Sequence, residues 1–267
     1  MMTITAHPTT TNPELSDSQP TVKKVVVLGA TSGIAVEVQR QLASRGCELL
    51  LVARSPQRLA ELQADLLIRG ARNVFIHPVD LASIERHASL FEFVKHNFSD
   101  FDTVLLAYGS MASQQDSETS VDTLLHELHV NFVSATALLT LFAYDLERRR
   151  TGCLAVITSV AGDRGRRSNY VYGSAKGALS LFVQGLRSRL HPAGVRVITI
   201  KPGPVQTSMT DHLQNAARFA DPQRVASDIV RALGRRSPEV LYTPRIWRYI
   251  MTGVKHVPES VFKRLSF

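Results

Sequence analysis

The 267-residue chain has room for one large domain or two small ones, and its 44% hydrophobic and 20% charged residues are ordinary globular usage, which excludes a disordered or bilayer-embedded body. Its two cysteines, Cys47 and Cys153, stand far apart and exclude a disulfide framework, a CxxC redox pair and a cysteine metal site, and no other metal site is expected. The formal charge of +8 is uneven, net −5 over residues 1–144 and net +13 over 145–267, which suggests an anionic partner: a phosphate-bearing ligand, an anionic lipid surface or a nucleic acid.

Residues 1–21 are rich in Thr, Pro, Ser and Asn and lack the basic start and apolar run of a signal peptide, so a disordered tail is expected. From Lys23 onward, short apolar runs alternate with amphipathic segments of helix length. The runs 25–28, 48–52, 73–76, 103–106, 153–158 and 196–200 are rich in Val, Ile and Leu and read as buried parallel strands. Segments 33–45, 56–69, 83–97, 121–148, 170–190 and 224–234 read as helices. The alternation predicts an α/β fold over residues 22–244, a single Rossmann-type doubly wound parallel sheet with helices on both faces. No run approaches about 18 apolar residues, so no bilayer-spanning segment is expected. Ligands of such sheets lie at the carboxyl ends of the strands, which is where chemistry is to be sought.

The first run leads into Gly29-Ala30-Thr31-Ser32-Gly33-Ile34-Ala35, a Gly-x-x-x-Gly-x-Ala turn that opens a helix. Gly29 permits the turn and Gly33 lets backbone approach a pyrophosphate at the helix N-terminus, with Thr31, Ser32 and Ile34 completing the candidate cradle. Glycines that merely end a strand are the alternative. The second run ends in Val52-Ala53-Arg54-Ser55, where dinucleotide folds place their ribose-reading side chain. An acid there would bind a free 2′-hydroxyl; Ala53 followed by Arg54 offers a guanidinium to a 2′-phosphate, so NADP(H) is expected ahead of NAD(H). A surface arginine beside the next helix is the competing reading. Asp80 and Leu81, after the third run, are placed either to contact an adenine or to make a turn.

Tyr172 and Lys176 stand four apart on one helix face. A free tyrosine titrates near 10, and a unit charge at about 4 Å in an effective dielectric of about 20 is worth roughly 4 kcal/mol, so Lys176 is expected to draw the phenol down by about three units. Ser159, thirteen positions earlier and just beyond a strand, can face the same crevice and bind a carbonyl. Asn131 interrupts a mostly apolar helix, and its amide needs partners such as a held water or a backbone kink that feeds Lys176. Pro202 and Gly203 follow the sixth run, with Val205 and Thr207 able to touch a nicotinamide.

Together, Gly29-x-x-x-Gly33-x-Ala35, Asn131, Ser159, Tyr172-x-x-x-Lys176 and Pro202-Gly203 resemble the short-chain dehydrogenase/reductase family over residues 23 to about 235. The resemblance implies an NAD(P)-dependent, hydride-transferring oxidoreductase in which Ser159 polarises the carbonyl, Tyr172 is the acid/base, Lys176 lowers its pKa and binds the cofactor, and Asn131 supports the proton relay. It also implies a homo-oligomer. Where the family has Asn-Asn-Ala-Gly, this chain has Leu106-Ala107-Tyr108-Gly109, so amide contacts on the adenosine side must be replaced.

Residues 105–109, 162–174 and 247–265 further resemble the branch of that family that reduces the 2-keto group of a polyprenyl-phosphate-linked pentose to an arabinose donor in cell wall polysaccharide biosynthesis. That resemblance implies a lipid-linked keto-sugar substrate, a flavoprotein oxidase as pathway partner, and a cytoplasmic protein, peripheral at the inner membrane surface. On this reading Arg164, Arg166 and Arg167 rim the crevice and hold a phosphodiester, the alternative being a solvated loop pairing with Asp163. The segment 245–267 interleaves Trp247, Tyr249, Phe262 and Phe267 with Arg245, Arg248, Lys255, Lys263 and Arg264, and reads either as a flap or as an element resting on anionic lipid. A soluble reductase for another sugar, alcohol or acyl ketone, and a dinucleotide-binding regulator without turnover, are the competing functions. Nucleic acid is not an expected partner, because no helix-turn-helix, zinc or RNA-binding signature accompanies the charge.

Overall fold

The computed structural model describes residues 23–211, 219–234 and 238–265; the tail expected at 1–21 and Phe267 lie outside the described residues. Among the described residues, the strands β1 (Lys24–Leu28), β2 (Glu48–Ala53), β3 (Asn73–Pro78), β4 (Thr103–Leu106), β5 (Cys153–Ile157), β6 (Arg196–Pro202) and β7 (Val240–Thr243) form one sheet in the order β3-β2-β1-β4-β5-β6-β7. Every neighbouring pair is parallel. The helices are α1 (Gly33–Ala43), α2 (Pro56–Ile68), α3 (His87–Asn97), α4 (Gln114–Thr119), α5 (Val121–Leu128), α6 (Ser134–Arg149), α7 (Tyr170–Leu190), α8 (Pro222–Leu233), α9 (Ile246–His256) and α10 (Glu259–Phe262).

The apolar runs form buried strands because both faces of the sheet are covered. In β1, Val25 and Val27 join a core with Leu42 of α1, Leu62 of α2 and Ile229 of α8. Val26 and Leu28 point the other way, to Leu90 of α3, Phe142 of α6 and Val183 of α7. After β3 the chain crosses β1 and β2 to lay β4 on the far side of β1, so connections leave β1 and β4 in opposite directions and a crevice opens at their carboxyl ends.

The structure departs from the sequence expectation in several places. The segment 121–148 is α5 and α6 joined by a π-turn, His129–Val133. The rod Val121–Arg149 has the length and mean hydropathy, 1.2, of a membrane-crossing helix; a third of its apolar window is buried, and Leu138, Leu139, Phe142 and Leu146 lie in the core. Segment 83–97 begins as a 3₁₀ turn, Ile84–Arg86, before α3. The short edge strand β7 and the helices α4, α9 and α10 carry too little period to stand out in sequence.

Candidate active site

A crevice of about 450 Å³ lies at the carboxyl ends of the strands. Its floor is the turn after β1, where Gly29 has φ 90° and a Cβ would fall 2.6 Å from the backbone nitrogen of Tyr108. Ser32 caps α1 without a side-chain hydrogen bond, so first-turn N–H groups around Gly33 and Ile34 stay available to an anion. Thr31, Arg54, Asp80, Leu81, Ala107 and Gly109 line the same crevice, as do Pro202, Gly203, Val205 and Thr207 on the far side. Arg54 is exposed at the rim and Arg58, one turn into α2, joins it, a second cation the sequence reading missed. Asp80 combines both of its expected roles, accepting the Ala82 N–H at 3.0 Å while facing the crevice.

Tyr108 stands where the family motif has an amide. Its hydroxyl meets Ser134 Oγ at 2.7 Å, and Ser134 in turn bonds the Leu81 carbonyl. A phenol thus ties the end of β4 to α6 and to the turn after β3, and burial pushes that phenol above its ordinary range.

At the other end, Ser159 follows β5 and caps the 3₁₀ turn Val160–Asp163, its Oγ accepting the Ala161 N–H at 3.1 Å. This turn lies flush on α7 because α7 carries two glycines: a Cβ on Gly173 would stand 2.8 Å from the Ala161 carbonyl oxygen, and one on Gly177 2.9 Å from that of Gly162. Tyr172 and Lys176 occupy the adjoining positions of the helix, and the Ser159 hydroxyl is near enough to the Tyr172 phenol to favour its ionised form. Sequence reasoning passed over both glycines, although their i, i+4 repeat beside Tyr-x-x-x-Lys is the signal that could have found them.

The expected lowering of the phenol does not occur. Burial dominates and pushes Tyr172 up to about 12, with the Ser159 hydrogen bond opposing and the charge of Glu127 adding. The Lys176 ammonium lies 5.7 Å from the Tyr172 ring centroid, over the ring rather than against the hydroxyl. Burial holds it down to about 8, Glu127 opposing. The pair is therefore a phenol protonated throughout the neutral range beside a lysine charged below about 8, an arrangement suited to giving a proton.

Asn131 sits on the π-turn and is buried. Its Oδ1 accepts the Ser110 N–H at 3.3 Å, and its Nδ2 donates to the carbonyls of Ser110 and Glu127, both at 3.0 Å. The turn carries one residue beyond α-helical spacing, and the Asn131 amide takes up the Glu127 carbonyl freed there. Glu127 was not anticipated.

The three rim arginines divide. Arg164 is turned away from the crevice: it donates to the Val254 and Val257 carbonyls, each at 2.6 Å, pairs with Glu259 at 2.9 Å and stacks 3.8 Å from the Phe262 ring centroid. It is spent on fastening α9 and α10 and does not hold a substrate phosphate. Arg167 is exposed and does not line the crevice. Arg166 does line it, and its Nε is buried with no hydrogen-bond partner, as is Oδ1 of Asn169 nearby in the lining. Asp163 is occupied too, pairing with Lys201 and, at 3.2 Å, with Lys255, while the Tyr242 hydroxyl donates to it at 2.7 Å. The C-terminal helices are thereby docked on the turn after Ser159, with Trp247 resting on Gly203 at the crevice mouth.

A seven-stranded parallel sheet of this order, with such a crevice at its switch point, defines a doubly wound dinucleotide-binding fold. Residues 23–218 match the short chain dehydrogenase family, and the chain belongs to it, among NAD(P)-dependent oxidoreductases. An uncharacterized oxidoreductase of Mycobacterium tuberculosis is 35% identical over 243 residues, 90% of this chain and 96% of its own. A short-chain dehydrogenase from Sphingobium yanoikuyae, solved in complex with NADPH, superposes with a TM-score of 0.78 at 20% identity, over 92% of this chain and 96% of that one. The L-sorbose reductase of Gluconobacter frateurii, solved with NADPH and L-sorbose, gives 0.73 at 22% identity, over 82% and 94%. At these identities the solved structures establish the shared fold.

Proposed function

We propose that the protein is an NADP(H)-dependent ketoreductase whose acid is Tyr172. The observation that carries this reading is the convergence of Ser159, Tyr172 and Lys176 at one end of the crevice. Residues fit the cofactor at the other end: uncapped N–H groups of α1 for a pyrophosphate, and Arg54 with Arg58, facing no acid at position 53, for a 2′-phosphate. NADPH supplies the hydride when bound. Ser159 donates a hydrogen bond to the carbonyl oxygen, Tyr172 delivers its proton to that oxygen, and the Lys176 ammonium balances the tyrosinate left behind.

The substrate we assign is a 2-keto pentose on a polyprenyl phosphate, reduced to the arabinose donor. Its support is the likeness of residues 105–109, 162–174 and 247–265 to that branch of the family, together with Arg166 and Asn169. A guanidinium nitrogen and an amide oxygen buried without partners beside Tyr172 suit a substrate that brings an oxyanion and a hydroxyl. The exposed Ile246, Tyr249 and Ile250 of α9, beside Arg245 and Arg248, would rest on the lipid surface that carries the substrate. Incubating the purified protein with NADPH and decaprenylphosphoryl-2-keto-erythro-pentose tests the assignment. Stoichiometric NADPH oxidation with formation of the arabinose lipid is expected; turnover of simple ketones without turnover of this lipid would overturn the substrate and leave the reductase.

A further inference from the structure

Glu127 is a carboxylate in the last turn of α5 with 2% of its surface exposed, and unlike the buried Asp163 carboxylate, which two lysines neutralise, it has no cation in direct ion-pair contact among the described residues. A buried carboxylate is costly unless something uses its charge. Its Oε2 stands 3.2 Å from Asn131 Nδ2, whose two hydrogens are shared among this carboxylate and the carbonyls of Glu127 and Ser110. This fixes which way the amide points. Asn131 Oδ1 and Lys176 Nζ both border Gly109, standing 2.6 and 3.0 Å from where a Cβ on that glycine would be. Carboxylate and amide thus stand behind the ammonium and the half-buried phenol that line the crevice.

We propose that Glu127 is a positioning residue of the reaction, the buried counter-charge that orients Asn131 and keeps the Lys176 ammonium in place for proton delivery by Tyr172. The inference rests on the ketoreductase reading and adds to it a fourth ionisable member that acts through the other three. The elements packed on α5 bring few competing charges. Helix α7 presents Lys176 and Tyr172, the π-turn presents His129 with its ring on the Ala82 carbonyl, α4 carries the exposed Asp116 and Glu118, and α5 itself carries His126 in the crevice lining.

The charge of Glu127 favours protonation of both Lys176 and Tyr172. Glu127→Gln keeps an acceptor for Asn131 and removes only that charge, so both groups lose their protons at lower pH. The expected result is an alkaline limb of kcat/KM for ketone reduction moved toward acid by more than about half a pH unit, with Glu127→Asp restoring it toward wild type. A second readout needs no substrate: the Lys176 Cε resonance, assigned through Lys176→Met and titrated by NMR, should show the same displacement in Glu127→Gln. An unmoved titration overturns the proposal, as does an unmoved alkaline limb in an active Glu127→Gln enzyme. If wild type shows no reductase activity while its Lys176 titration does move with Glu127→Gln, the ketoreductase reading fails and the charge coupling stands.

Discussion

Lys176 shows at single-residue scale how function opposes stability. The residue is 3% exposed, and burial draws its pKa down to about 8 from 10.5. Below about pH 8 both the folded and unfolded chains hold this proton, and the fold bears the cost of a desolvated charge. Between about 8 and 10.5 the unfolded chain binds a proton that the folded one has released, so the contribution of this group to stability rises with pH across that window. Lys176→Met should abolish turnover and remove the rise in stability between about pH 8 and 10.5 in urea unfolding; a rise as steep as in wild type would show that the charge is not desolvated. For the wild type, reduction rates should fall as pH rises through about 8, when the ammonium is lost. The Tyr172 and Lys176 pair was legible in sequence because helical period turns a spacing of four into adjacency. Its electrostatics were not, because spacing carries no burial: the same charge that looked able to lower the phenol stands over the ring in a pocket that raises it. Arg164 was misread for a related reason. Its partners lie about ninety positions away on helices too short and irregular to foresee.

Between elements, the decisive contact is α7 against the turn after Ser159. Gly173→Ala or Gly177→Ala places a methyl within 2.8–2.9 Å of a backbone carbonyl oxygen, and neither helix nor turn can yield without moving Ser159 from Tyr172. Each variant should lose about 1–3 kcal/mol of stability and a larger share of kcat than of NADPH affinity, read by unfolding and by cofactor titration. Equal kcat with lower stability would mean that the turn follows the helix. Arg164→Ala should free α9 and α10 from that same turn, and limited proteolysis should then cut within 246–262 faster than in wild type. The strands from β1 to β6 could be read from sequence since they are apolar on both faces; β7, four residues at the sheet edge with Val240 exposed, could not.

At the scale of the whole molecule, the uneven charge seen in sequence resolves into separate uses. Arg54 and Arg58 flank the nucleotide end of the crevice, Arg166 the catalytic end, and Arg164, Lys201 and Lys255 are consumed in holding the C-terminal helices. Reversing Arg54 and Arg58 to Glu should raise KM for NADPH at least about tenfold and leave that for NADH little changed, since only the former has a 2′-phosphate to lose; equal effects on both would remove these arginines from cofactor discrimination. The account as a whole depends on proton delivery from one half-buried phenol. The most direct test compares wild type and Tyr172→Phe at saturating NADPH, with cofactor binding measured on each. The variant should bind NADPH as wild type does and reduce the ketone at least about a hundredfold more slowly; turnover at the wild-type rate would contradict the account.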